Sequence, residues 1–86
     1  MMVRLLITEW ERVLEHYQPY QLKSGHIKQY SIPLYITRRY PRFHLHVKKK
    51  HRIWIEVWVH IDWKRHKKYE SFNGELVDFI QQIQSL

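Results

Sequence analysis

No cysteine and no alanine occur in this 86-residue chain. Without cysteine, disulfides, thiolate nucleophiles and cysteine-based zinc sites are excluded. Glycine appears twice and proline three times, which leaves little room for linkers or disorder. The shortage of glycine also removes phosphate-cradling loops and the Gly-x-Ser-x-Gly nucleophile elbow. Long apolar runs are missing too. A membrane span needs roughly 18 such residues, and the apolar start, Met1 to Ile7, gives way at once to Glu9, Glu11 and Arg12. That start is also too short for a signal peptide. The expectation is one soluble, cytoplasmic domain over residues 1–86 with no membrane partner.

Acidic residues are scarce in the middle of the chain. The formal net charge is +7, and eleven of the fifteen Lys and Arg fall between Arg38 and Lys68, opposed there only by Glu56 and Asp62. They are Arg38, Arg39, Arg42, Lys48, Lys49, Lys50, Arg52, Lys64, Arg65, Lys67 and Lys68. A positive field confined to one third of a chain suits a polyanion such as nucleic acid. Its plainer reading is solubility in a small basic domain.

What is present in abundance is alternation. Phe43, Leu45 and Val47 alternate with His44, His46 and Lys48; Ile53, Ile55, Val57, Val59 and Ile61 alternate with Trp54, Glu56, Trp58, His60 and Asp62. Period-2 runs joined by the polar link Lys49 to Arg52 read as an antiparallel hairpin. One side is aliphatic and belongs to a core. The other carries tryptophan, histidine and charge.

Around this hairpin, Val3, Leu6, Ile7, Trp10, Val13, Leu14 and Tyr17 fit one helical face over residues 3–18, ended by Pro19. An alternative start at Thr8, with Glu11 in capping-box position, would free Val3 to Ile7 as a short strand. Residues 19–26 read as a loop. Ile27 to Ile36 reads as the first strand, with Tyr30, Ile32, Leu34 and Ile36 on one face, and Pro33 predicts that it lies at an edge. Asn73 is placed to cap a last helix whose stripe is Leu76, Phe79, Ile80 and Ile83. The expected fold is α+β: α-β-β-β-α, a three-stranded antiparallel sheet with both helices packed on one face.

That layout leaves the second sheet face bare, with Trp54 and Trp58 side by side on it. Small monomers rarely keep such a patch open. It is expected to bury against a second copy, to stack unpaired bases, or to be covered from within by the first helix or Trp63. A thin core favours a homodimer. His44, His46, His60 and Asp62 all point outward and are candidate metal ligands. A turn centred near Lys50, however, sets His46 opposite Trp54 and His44 opposite Glu56, so the four do not converge. The expectation is no metal and no cofactor. A histidine-based ribonuclease could use His26, His44, His46, His60 or His66 with nearby cations, but no catalytic set stands out.

The order α-β-β-β-α in a short basic chain resembles double-stranded-RNA-binding domains, which carry a basic motif at the start of the second helix. Here that position reads Asn73-Gly74-Glu75. The layout also resembles that of HicA-type messenger-RNA-cleaving toxins, whose first strand bears Gly-Ser-His; this chain has Ser24-Gly25-His26 before its first strand. Element order is all they share, and no family is assigned. The leading expectation is a nucleic-acid-binding module, RNA favoured. Its eleven central cations would contact phosphates and Trp54 and Trp58 would stack bases. The alternatives are a homodimeric interaction domain that uses the tryptophan face, and an RNA-cleaving enzyme.

Overall fold

The computed structural model describes residues 1–23, 27–63, 67–68 and 72–86. The elements in chain order are β1 (Met2–Leu6), α1 (Ile7–Tyr17), β2 (Tyr20–Lys23), β3 (Lys28–Pro33), β4 (Arg42–Lys49), β5 (Trp54–Trp63), β6 (Lys67–Lys68) and α2 (Asn73–Gln84). Among the described residues the strands form one antiparallel sheet in the order β1-β5-β4-β3-β2, with the two-residue β6 also pairing β5. The chain is α+β, but the three-stranded α-β-β-β-α layout is corrected: β1, β2 and the two-residue β6 are additional strands. The resemblances that rested on that order fall with it.

The first helix begins later than its apolar spacing predicts. As a strand, Met2–Leu6 alternates, burying Val3 and Leu5 while Met2, Arg4 and Leu6 face out. A continuous helix would turn Leu5 away from the Val3–Leu6–Ile7 stripe, and here Leu5 is among the most buried side chains. β1 also pairs along β5, from Met2 opposite Trp58 to Leu6 opposite Trp54. Glu9 marks the switch to helix, its Oε1 accepting the Leu6 backbone N–H at 2.7 Å. This is the alternative division of the segment, with Glu9 rather than Glu11 as the capping carboxylate. At the far end Gln18 takes a left-handed conformation, φ 47°, and its N–H reaches Leu14 O at 2.9 Å. Pro19 then stops the helix.

β2 lies where a loop is predicted, and its presence moves β3 inside the sheet. Pro33 is tolerated there because it ends β3. Its partner on one side is Arg42, while β2 pairs only as far as Ser31, so no strand beside Pro33 seeks its missing N–H. The chain leaves the sheet after Pro33, so Ile36 is exposed and does not join the Tyr30–Ile32 face. α2 likewise departs in detail: Phe72 occupies the cap position and Asn73 is the first helical residue.

Both helices lie on the aliphatic face. Trp10 and Val13 of α1, and Phe79, Ile80 and Ile83 of α2, join one core with Val3, Leu5, Tyr30, Ile32, Phe43, Leu45, Val47, Ile55, Val57, Val59 and Ile61. Aromatic contacts fix the layers: Trp10 meets Tyr30 edge-on at 5.3 Å and Phe79 stacks on Phe43 at 4.1 Å. Ile53, counted with the inward set by alternation, is exposed in the hairpin link. The hairpin's partners also change. Pairing runs from Arg42–Asp62 through His44–His60 and His46–Trp58 to Lys49–Ile55. The turn is thus centred two residues later than Lys50, near Arg52, which slides every pair by four residues. An even slide keeps each side chain on its face but gives it new neighbours.

Candidate functional site

This register assembles a polar cluster on the outer face, at the Arg42 end of β4. Arg42 stands directly opposite Asp62, and His44 directly opposite His60. Asp62 is the hub. It is wholly buried, 0% exposed, and its Oδ2 accepts from Arg42 Nε and Nη2, each at 3.3 Å. The same oxygen lies 2.8 Å from His44 Nδ1, and Oδ1 lies 2.8 Å from His60 Nε2. Arg42 is only 1% exposed, with its guanidinium carbon 4.9 Å from the Tyr40 ring centre. A charge removed from water this fully needs a partner, and here each ion supplies the other's.

His44 is 8% exposed, so although it lies on the outer face it is not open to solvent. Burial pushes its imidazole down to about 4; the Asp62 carboxylate pulls the other way, and His46 and His60 add to the depression. At neutral pH the ring is therefore uncharged and carries one N–H. With Nδ1–H given to Asp62, Nε2 is the lone-pair nitrogen. Gln29 Oε1 lies 2.9 Å from Nε2, and a neutral ring that gives Nδ1–H to Asp62 fits this contact with the amide flipped, its NH2 donating.

The three imidazoles gather above this carboxylate. His44 and His46 stack with centroids 4.3 Å apart, His44 and His60 are 4.7 Å apart, and His46 and His60 are 5.3 Å apart. One nitrogen of each lies within 4.8 Å of the others. The register thus reverses the geometric ground on which convergence was discounted.

Next to the cluster is a cleft of about 480 Å³ between β2, β3 and the connector that follows Pro33. Arg42 and Ser31 are buried residues of its lining, and the exposed Tyr20, Arg38 and Arg39 also border it. Tyr20 is 72% exposed, an aromatic surface at the same cleft as the two exposed guanidinium groups of Arg38 and Arg39. Four more of the candidate cations sit at the other end of β4 and in the hairpin link, with Lys49, Lys50 and Arg52 exposed and Lys48 half-buried. Lys64 and Arg65 lie outside the described residues, as do His26 and His66; Lys67 and Lys68 form β6.

The tryptophans behave differently from each other. Trp54 is half-buried, with Arg4 of β1 over its ring at 5.0 Å and His51 stacked at 6.0 Å. Trp58 is 42% exposed; Lys48 Nζ lies 5.3 Å from its ring centre, and its Nε1 donates to Glu56 Oε1 at 3.2 Å. Sequence reasoning missed the cover that β1 gives to Trp54. It also missed Gln29, Ser31 and Tyr20, which reach the site from strands predicted as loop or edge. Comparison of the chain with known protein families, curated proteins and solved structures gives no match.

Proposed function

We propose that the protein is a small nucleic-acid-binding module, RNA favoured, that lays a strand along the outer face of β4. The observation that carries this reading is the cleft bordered by the exposed Arg38 and Arg39 with Tyr20 beside them, while Arg42 is held in its wall by Asp62 and is not open to a phosphate. The cleft lies at one end of a strand whose other end carries Lys48 and Lys49 and leads into Lys50 and Arg52. Guanidinium groups match phosphate oxygens in pairs, and aromatic rings take unpaired bases. From Arg42 to Lys49 the strand rises about 24 Å, or roughly seven stacked nucleotides at ~3.4 Å each. Trp58 stands between those ends, exposed enough to stack. Unpaired RNA is favoured because stacking platforms need splayed bases.

Fluorescence anisotropy with labelled single-stranded RNA, duplex RNA and duplex DNA over a salt series tests it. With about five phosphates neutralised, log affinity falls against log salt with a slope near −3.5 for single strands and −4.5 for duplex. Single-stranded RNA binds tightest, and Trp58 emission is quenched. A salt-independent affinity, or binding unchanged by Arg38→Glu with Arg39→Glu, excludes the reading.

A second reading has its own observation. Met2 and Leu6 are exposed on β1 directly opposite Trp58 and Trp54, forming an apolar strip on the β1–β5 side of the same face. A homodimer would bury that strip. Light scattering that finds a dimer for the wild type and a monomer for Trp58→Ser supports this reading over stacking. A monomeric wild type removes it.

A further inference from the structure

We propose that His44, His46 and His60 bind one divalent transition-metal ion of the zinc class, each through one imidazole nitrogen, with Asp62 orienting His44. The inference stands independently of nucleic-acid binding, since it rests on the registered pair His44–His60 and on the neighbouring ring of His46.

The donor set is suited to that class. Neutral imidazole prefers zinc, copper, nickel or iron(II) to calcium or magnesium, which want oxygen. Three protein ligands with a further position left for water or another oxygen ligand is a recurrent zinc arrangement. Distances come close to requirement. Zinc–nitrogen bonds of about 2.0–2.1 Å set tetrahedral ligand nitrogens roughly 3.4 Å apart, so nitrogens now within 4.8 Å must draw together by at most about 1.4 Å. Side-chain rotation of His46 and His60, both half-buried rather than locked in the core, supplies this movement. His46 leaves its stack on His44 in doing so.

The second argument is the carboxylate. Metal-binding histidines commonly give their other N–H to a carboxylate, which fixes the tautomer and strengthens the donor nitrogen. Asp62 Oδ2 holds His44 through Nδ1 at 2.8 Å, and its Oδ1 lies in close charge contact, 2.8 Å, with His60 Nε2. In its neutral form this leaves Nε2 of His44 as that ring's lone-pair nitrogen. Gln29 accommodates the ion by giving up its contact with His44 Nε2. Arg42 stays on Asp62 and keeps it charged, so the carboxylate orients His44 instead of joining the ligands.

The test uses the full chain, stripped with chelator and titrated with zinc against a chromophoric competitor. Cobalt(II) then serves as a spectroscopic probe of the same site. The expected result is one equivalent per chain and an intense visible cobalt spectrum of low-coordinate type, displaced by zinc. His46→Gln, which leaves the Arg42–Asp62–His44 contacts in place, should weaken zinc binding by well over tenfold and abolish the cobalt spectrum. Asp62→Asn should cost 10- to 100-fold; His46→Gln carries the test should that variant fail to fold. His51→Gln, in the hairpin link, should change nothing. Binding that is not stoichiometric, or that His46→Gln leaves intact while His51→Gln weakens it, overturns the proposal. Salt-dependent RNA binding by the stripped protein would leave the nucleic-acid reading standing whichever way the metal result falls.

Discussion

Replacing Asp62 by Asn removes one negative charge from a site with no access to water and changes almost nothing in size. Arg42, 1% exposed, then loses the carboxylate that both its Nε and Nη2 donate to. Breaking a buried pair from one side costs about 3–5 kcal/mol, because the surviving ion keeps its desolvation penalty without the attraction that offset it. The chain's total stability, at roughly 0.05–0.15 kcal/mol per residue, is on the order of 4–13 kcal/mol, so the loss is a large share of the whole. The melting temperature should fall by on the order of 20 °C. Urea unfolding followed by tryptophan emission, in chelator to keep metal out of the comparison, measures it. A double-mutant cycle isolates the cause. Arg42→Met added to Asp62→Asn takes away the buried cation, so the double variant should lose at least about 2 kcal/mol less than the two singles summed. An Asp62→Asn cost below about 1 kcal/mol, or singles that add within ~0.5 kcal/mol, would refute the claim that this pair is a buried, coupled ion pair.

Four further outcomes are expected. Unfolded His44 titrates near 6.5 and the buried ring near 4, so between those values the unfolded chain holds more protons. Stability should therefore be full above about pH 6.5 and fall as pH drops toward 4, by about 3 kcal/mol from this group; His44→Gln should flatten that slope, and coincident pH profiles would contradict it. Leu5→Lys should unfold the protein or cost several kcal/mol while Leu6→Lys stays within ~0.5 kcal/mol, a contrast that a helix through residues 3–7 does not predict. Phe79→Ala, which removes the ring stacked on Phe43, should cost about 3–5 kcal/mol in urea unfolding. Charge reversal at Lys49 and Lys50 should weaken RNA binding evenly across sequences and lower the magnitude of the salt slope by roughly one to two.

The central hairpin was legible because its two strands alternate without interruption, and period 2 fixes faces whatever the pairing. The pairing itself was not legible. The link around Lys50 to Ile53 carries no Asn-Gly or Gly-containing turn, so nothing in its residue types locates the reversal, and an error of two residues there displaces His46 from Trp58 to Trp54. β1 was hidden because Val3, Leu6, Ile7 and Trp10 satisfy a helical stripe. Only tertiary pairing with β5 decides for a strand. β2 is four residues long, too short for any period to declare itself. The cluster was half visible. His44, His46, His60 and Asp62 were placed on the outer face as candidate ligands, but Arg42 was read only as a phosphate contact. A carboxylate two residues from a histidine, on a strand facing Arg-x-His, was the available signal. It becomes decisive only when the register sets Arg42 against Asp62.

Val3 lies opposite Val57, so β1 closes against a partner more than fifty residues further along the chain. During synthesis the greasy side of that first strand emerges from the ribosome long before its docking groove exists. β4 and β5, joined by a short link, need wait only for each other. Non-local closure of this kind slows folding and leaves apolar surface uncommitted in the interval. Arg4, at the middle of β1 and facing outward, places a charge in the strand most prone to seek a stranger's edge while it waits.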